Sequence, residues 1–168
     1  MLIIIAVIGF AILLLIPKNA PNISNALVNE ENGDIVFLYY DSKYATTTFW
    51  WYDVSGKLIL SKTFSGGSEG PVAFCGEDLH ISITKSGEYA YNRLGDEITP
   101  MSHSELSQIG NYDFKGWTNG YGEKEFYFGN YVYRYEETPY PASLFKSESR
   151  IYIKNMESDE IIELKSFK

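Results

Sequence analysis

The sequence predicts an all-β domain, an antiparallel meander of about 10 to 12 strands, preceded by one N-terminal transmembrane helix. Residues 1–16 contain no charged or polar side chain. Aromatic residues make up 16% of the chain, with 14 Tyr and 10 Phe, and these residue types favour strands. From Asp34 onward, short apolar or alternating runs are separated by Gly, Asn, Asp and Ser, which is the pattern of strands joined by turns.

The apolar run at the start of the sequence predicts a membrane anchor. As an α-helix, residues 1–16 would extend about 24 Å, which can cross a thin bilayer with help from flanking residues. A helix buried in a soluble core would carry a polar face, and this run has none. A cleaved signal peptide needs small residues shortly after the run, where Lys18 stands instead. We therefore predict an uncleaved transmembrane anchor over residues 1–17, a linker over residues 18–33 and a β-rich domain over residues 34–168.

The predicted location is the membrane, single-pass, with the β domain outside the cytoplasm. Secretory signals carry a basic segment before the apolar run, whereas here the first basic residue, Lys18, follows the run. Taken literally, the positive-inside rule would place the β domain in the cytoplasm, so both orientations stay open. One lysine is a small charge bias, and we expect the extracytoplasmic orientation.

The segment Tyr52–Leu58 has the pattern of a bulged hairpin turn. Asp53 can begin a type I turn through the next two residues, and Gly56 can take the left-handed conformation that closes it. This turn pairs Tyr52 with Leu58 and, further along the strands, pairs Trp50 with Leu60.

Four consecutive aromatic residues, Phe49 to Tyr52, precede this turn. Side chains alternate along a strand, so Trp50 and Tyr52 share one face while Phe49 and Trp51 share the other. The opposite strand offers apolar partners to both faces. We therefore predict an interior strand pair between packed sheets, and not an exposed aromatic platform.

Two further hairpins have readable turns. The segment Ile83–Tyr89 has the same turn pattern, with Gly87 in the left-handed position, and this turn pairs Ile83 with Tyr89. A turn at Gly129–Asn130 pairs Glu125 with Arg134 as a cross-strand ion pair.

The repeated unit resembles the inner hairpins of β-propeller blades, in which Tyr-Asp-x-x-Gly-Lys turns recur. The residues that carry this resemblance are Tyr52–Leu58 and Ile83–Tyr89. The resemblance implies blades of about 40 to 45 residues, and residues 34–168 have room for three such blades or four smaller ones. A small or partial propeller, stacked sheets and a meandering barrel all remain compatible with the pattern.

The composition bears on several functional classes. The net charge of −8 argues against nucleic-acid binding, because phosphate contacts need clustered Lys and Arg. The single cysteine, Cys75, excludes an intramolecular disulfide and a cysteine-based zinc site. Neither His80 nor His103 has a second ligand residue at a metal-binding spacing. We expect no metal and no cofactor, and we expect His80 at the surface on the polar face of its hairpin.

Two residues are the candidates for catalysis if the protein is a hydrolase. Ser68 lies in Gly66–Gly70, which matches the Gly-x-Ser-x-Gly nucleophile elbow, but that elbow needs a helix after the serine and an extended stretch follows here. His103 lies in a short predicted helix that Ser102 and Glu105 can cap. The sequence therefore favours a non-catalytic role.

A glycine-rich loop provides the candidate binding surface. Trp117, Asn119 and Tyr121 lie among three glycines, and aromatic rings on such a loop can contact a protein partner or a sugar. The alternative is that Trp117 turns inward and closes an end of the sheet.

These observations predict a membrane-anchored, non-catalytic binding or accessory module at the cell envelope. It would contact the membrane through residues 1–17 and a protein or peptide through its β domain. An immunity-like inhibitor of a toxin or hydrolase is the alternative, on the basis of size, anchor and acidic charge. An envelope hydrolase is the second alternative.

Overall fold

Twelve strands form three antiparallel four-stranded sheets in the computed structural model, which describes residues 23–41, 43–66, 69–109, 124–137 and 149–167. Sheet I contains β1 (Ile23–Val28), β2 (Ile35–Asp41), β3 (Thr46–Tyr52) and β4 (Leu58–Ser65). Sheet II contains β5 (Glu69–Cys75), β6 (Asp78–Ile83), β7 (Gly87–Tyr91) and β8 (Glu97–Ile98). Sheet III contains β9 (Lys124–Phe128), β10 (Tyr131–Glu137), β11 (Ser149–Asn155) and β12 (Ile161–Phe167). One helix, α1 (His103–Ile109), follows β8.

The all-β prediction is confirmed, but the sequence pattern missed β1. This strand lies inside the range 18–33 that was predicted as a linker. It has no clear apolar alternation, and it forms because its backbone pairs with β2 while Ile23 and Ala26 are fully buried. The predicted linker therefore overlaps the first strand of sheet I.

Another prediction, the anchor over residues 1–17, falls on a part of the chain outside the described residues. Within the described ranges, no helix has the length and apolar character needed to cross a bilayer.

Sheet I is the middle layer and buries both of its faces. One face packs against sheet III in a cluster that includes Tyr52 and, partly buried, Trp50. The other face packs against sheet II in a cluster that includes Phe49 and Trp51. The Trp51 ring meets the Phe74 ring of sheet II edge to face at 5.6 Å. The predicted alternation of the four aromatic residues is therefore confirmed, because sheets cover β3 on both sides.

The register of β3 and β4 departs from the prediction just beyond the turn. Tyr52 pairs with Leu58 as predicted, but a bulge follows, so that Leu60 pairs with Trp51 and not with Trp50. The extra residue turns Leu60 towards sheet II, where it packs in the second cluster. Most of β4 is exposed or half-buried. It is therefore an edge strand and not the interior strand that was predicted.

The hairpin of β6 and β7 also departs from the predicted register. Tyr89 pairs with Ile81 and not with Ile83. The turn closes earlier because the Ser86 N–H donates to the Ile83 carbonyl at 2.9 Å, with Lys85 at a φ of 69°. A shift of two residues keeps each side chain on its predicted face, so the apolar face of this hairpin still meets sheet I.

The β1–β2 turn contacts both neighbouring sheets. Its Asn29 side-chain amide donates to the Gly76 carbonyl of sheet II at 2.8 Å. Its Gly33 carbonyl accepts a hydrogen bond from the Tyr133 hydroxyl of sheet III. Gly33 has a φ of +77°, and a Cβ there would lie 2.5 Å from the Phe128 ring, so glycine is required for this close packing. The turn thereby helps to hold the three layers together.

Asp34, at the end of the same turn, is buried and forms an ion pair with Arg93 in the β7–β8 turn. Arg93 Nε donates to Asp34 Oδ2 at 2.8 Å, and Nη2 donates to Oδ1 at 2.9 Å. The Asp34 side chain is fully buried, whereas the Arg93 side chain is 39% exposed. The hydrogen bonds to Asp34 raise the pKa of Arg93 above its ordinary value. This two-point contact satisfies both carboxylate oxygens and joins sheet I to sheet II.

Replacing Arg93 by Ala should lower the free energy of unfolding by about 3 kcal/mol, because the buried Asp34 carboxylate loses its charged partner. Urea unfolding of the full chain in detergent micelles measures the change. Lys154→Ala, which removes an ion pair with the exposed Asp159, is the matched control and should have a much smaller effect. Adding Asp34→Asn to Arg93→Ala should recover part of the loss. Equal effects of Arg93→Ala and Lys154→Ala would contradict the assignment.

Candidate functional site at the turn end

Six turns meet at one end of the three sheets, which we call the turn end. They are the β1–β2, β3–β4, β5–β6, β7–β8, β9–β10 and β11–β12 turns. The Asp34–Arg93 pair places turns of sheets I and II together, and the Tyr133 bond to Gly33 places the start of β10 beside the β1–β2 turn. The opposite end, the connection end, is where β1, β5 and β9 begin and where β4 and β12 end.

In each sheet, the turn from the third strand to the fourth begins with an Asp or Asn side chain that accepts backbone N–H groups, and the turn of sheet III is one residue longer than the other two. The first residue is Asp53, Asn92 or Asn155, and its side-chain Oδ1 accepts N–H groups of two later turn residues at 2.9–3.3 Å. A residue with positive φ follows, and these residues are Gly56 (82°), Gly95 (88°) and Asp159 (56°). Side-chain hydrogen bonds therefore fix the shape of all three turns.

This repeat differs from the one that the sequence predicted. Ile83–Tyr89 was matched to Tyr52–Leu58, but its turn joins the second and third strands of sheet II. In the β7–β8 turn, Asn92 occupies the position that Asp53 has in the β3–β4 turn, and Gly95 occupies the position of Gly56. The sequence match overlooked this turn because it begins with Asn and not with Asp. Both side chains nevertheless supply the same hydrogen-bond acceptor.

The turn end carries most of the acidic side chains of the described residues. Its carboxylates are Glu30, Glu31, Asp34, Asp53, Glu77, Asp78, Asp96, Glu97, Glu157, Asp159 and Glu160. Its basic residues are Lys57, Arg93 and Lys154. Arg93 and Lys154 are already paired with Asp34 and Asp159. The turn end therefore has a negative field that attracts cationic groups and repels anionic ones.

The turn end also exposes apolar side chains. Among the described residues, seven large apolar side chains are exposed, and four of them, Leu58, Leu94, Met156 and Ile161, lie in or beside these turns. Leu94 is 87% exposed at the tip of the β7–β8 turn. Apolar area together with charge of one sign is the composition of a surface that buries a partner selectively.

His80 is buried, so its prediction as a surface residue was wrong. Only 6% of the residue is exposed, because the polar face of sheet II is covered by α1 and the residues just before it. The His80 Nδ1 accepts the Met101 N–H at 3.3 Å. Burial lowers the pKa of His80, although the charge of Asp78 acts in the opposite direction. The neutral ring therefore serves as an acceptor that fixes the segment leading into α1.

His103 contacts a serine, but the pair is poorly placed for catalysis. The His103 Nδ1 lies 3.0 Å from the Ser82 Oγ, and Ser82 is only 3% exposed, so its hydroxyl is not open to a substrate. The contact instead holds α1 on sheet II. The start of α1 is capped by Ser102 and Glu105, as predicted. Ser68, the other candidate nucleophile, lies outside the described residues.

Charged side chains on sheet III pair with one another. Arg134 contacts Glu125, as the predicted register required, and also contacts Glu136. Glu136 contacts Arg150 and accepts a hydrogen bond from the Tyr152 hydroxyl. Burial tends to raise the pKa of Glu136, but the hydrogen bonds and the two arginines lower it overall. Glu136 is therefore ionised at neutral pH, which does not suit a general acid.

The predicted contact residues Trp117, Asn119 and Tyr121 lie outside the described residues, so their role stays a prediction. Among the described residues, a different surface, the turn end, exposes apolar side chains, and Leu94 is the most exposed of them. The sequence contains a signal for Leu94, because a large apolar residue directly before Gly95 occupies a turn position where polar residues are usual.

Acidification should destabilise the protein through His80. Because the folded-state pKa of His80 lies below its ordinary value, its contribution is present above about pH 6.5 and is lost as pH falls through the folded-state pKa. In His80→Gln, the side-chain carbonyl can still accept the Met101 N–H but does not titrate, so the fall in unfolding free energy between pH 7 and pH 5 should be smaller. Urea unfolding at each pH measures both proteins. Identical pH profiles would contradict this role of His80.

Comparisons with known proteins do not assign this chain to a family. No family model matches the sequence, no curated protein is similar to it, and no solved structure matches its fold.

Proposed function

We propose that the chain is a membrane-anchored, non-catalytic binding module at the cell envelope that contacts a protein or peptide. The anchor is the apolar run within residues 1–17, and the β domain lies outside the cytoplasm. The observation that carries the proposal is the separation of the two ends of the sheets. Among the described residues, β4 ends and β5 and β9 begin at the connection end, whereas the turn end is acidic and partly apolar.

The direction of β1 supports this arrangement. β1 begins at the connection end with Ile23 and runs to the turn end. Its six residues cover about 20 Å at 3.3 Å per residue. A chain that leaves the membrane after residue 17 therefore reaches the connection end first, and the turn end points away from the bilayer. That position suits contact with a partner in the aqueous phase.

The use of polar groups also supports a binding role over a hydrolytic one. Ser82 is buried under the covering segment of sheet II, and Glu136 is held ionised by its arginine partners. These groups stabilise the layers and the outer faces of the sheets.

The stacking of the sheets is consistent with a propeller-like scaffold. Three successive four-stranded antiparallel units support this scaffold, and an Asp or Asn side chain opens the turn between the last two strands of each unit. A scaffold of this kind holds its turns rigidly at one end, where they can form a contact surface.

The proposal predicts that the turn end is accessible from outside intact cells and that residues 2–17 hold the chain in the membrane. In a Cys75→Ser background, Ser55→Cys at the turn end should react with a membrane-impermeant maleimide. Removal of residues 2–17 should shift the chain from the membrane fraction to the soluble fraction. Protection of Ser55→Cys until the cells are lysed would contradict the extracytoplasmic orientation.

Partner contact is predicted at the turn end and not at the connection end. A photoreactive amino acid at Ser55 of the full chain should give a cross-linked protein product in intact cells. The same group at Lys85, an exposed residue at the connection end, is the matched control and should give much less. Equal or absent products at both positions would contradict the proposed function.

A further inference from the structure

Three exposed apolar side chains lie at the turn end, and we call this set the apolar strip. They are Leu94 (87% exposed), Ile161 (53%) and Leu58 (47%). Leu58 belongs to sheet I, Leu94 to sheet II and Ile161 to sheet III. The strip therefore has one member on each sheet.

Two glycines allow the turns beside Leu94 and Leu58 to pack closely on neighbouring strands. A Cβ on Gly95 would lie 3.7 Å from the Leu60 Cδ1, so the β7–β8 turn lies against β4. A Cβ on Gly56 would lie 2.6 Å from the Ile162 Cγ2, so the β3–β4 turn lies against β12. Both turns are also fixed by side-chain hydrogen bonds from their first residue. The strip is therefore preorganised and loses little conformational freedom on binding.

Carboxylates without a charged partner lie beside the apolar strip. Asp96 and Glu97 follow Leu94 closely in sequence, and Glu160 directly precedes Ile161. None of these three carboxylates forms an ion pair with a described residue. The strip therefore combines apolar area with negative charge that is available to a partner.

We propose that the apolar strip is the docking surface for a cationic segment of a partner protein. The inference rests on the proposed function, because it names the partner chemistry of the same turn end. The segment buries an apolar side chain against Leu94. Its Lys or Arg side chains lie beside Asp96, Glu97 and Glu160, where charge-assisted hydrogen bonds can form.

The sign of the charge selects this occupant over three others. Anionic lipid and nucleic acid carry the same sign as the turn end and are repelled by it. A second copy of the chain would bring the same carboxylates together, which opposes self-association through this surface. A cationic protein segment satisfies both the exposed apolar side chains and the carboxylates.

A peptide of defined sequence tests the surface on the full chain in uncharged detergent micelles. The probe is a fluorescent peptide, Lys-Lys-Leu-Lys-Lys-Leu-Lys-Lys, and its comparison peptides replace Lys by Glu or Leu by Ser. Fluorescence anisotropy should show binding of the first peptide that weakens as salt is raised. Both comparison peptides should bind much more weakly. No binding of the Lys–Leu peptide at low salt, or equal binding of all three, would overturn the proposal.

Matched variants locate the surface. Leu94→Ser should raise the Kd for the Lys–Leu peptide about tenfold, and so should Glu97→Lys combined with Glu160→Lys. Tyr44→Ser and Glu88→Lys change exposed residues near the connection end and should leave the Kd unchanged. Circular dichroism checks that each variant is folded. Equal Kd values in all variants would overturn the proposal.

Cross-linking in cells separates this inference from the proposed function. Leu94→Ser should reduce the cross-linked product from Ser55 several-fold. If that product persists unchanged in Leu94→Ser, the turn end still contacts a partner but the apolar strip is not its docking surface. If the peptide results hold and Ser55 gives no product in cells, the proposed function fails instead. A Leu94-dependent dimer in sedimentation would assign the strip to a second copy and overturn the inference.

Discussion

The ion pair between the buried Asp34 and the exposed Arg93 constrains how sheet I and sheet II stack. A carboxylate with no exposed surface is stable only if both oxygens are satisfied, and the arginine side chain does this through two parallel hydrogen bonds. In the same turn, the Gly33 carbonyl accepts a hydrogen bond from the Tyr133 hydroxyl of sheet III. A single short turn thus fixes the position of sheet I relative to both neighbours.

The central position of sheet I explains its residue content. Its β2 and β3 strands place apolar or aromatic side chains on both faces, because sheet III covers one face and sheet II the other. Sheets II and III have one face each against sheet I, and their remaining faces use polar pairs. On sheet II the pair of His103 and Ser82 helps to hold the covering helix. Polar groups therefore complete the outer layers while apolar groups form the two cores.

Acidic residues are concentrated at the turn end, whereas apolar residues fill the two cores between the sheets. Acidic side chains gathered at one end repel one another, which lowers the stability of the compact state. The three turns at that end compensate locally, since Asp53, Asn92 and Asn155 use their side-chain oxygens to satisfy backbone N–H groups. These hydrogen bonds maintain the shape of the turns while the surface keeps its negative charge. The result is an acidic surface with ordered turns that also exposes Leu94.

The sequence by itself determined the all-β class, the alternation of Phe49 to Tyr52 and the pairing of Glu125 with Arg134, because these depend on strand period and turn chemistry within a short stretch. It did not determine β1, whose residues become a strand only when β2 and a buried core are present. It also placed His80 at the surface, since the covering helix is distant in sequence. Only the tertiary structure brought Leu58, Leu94 and Ile161 to one end, because their proximity depends on how three separate sheets stack.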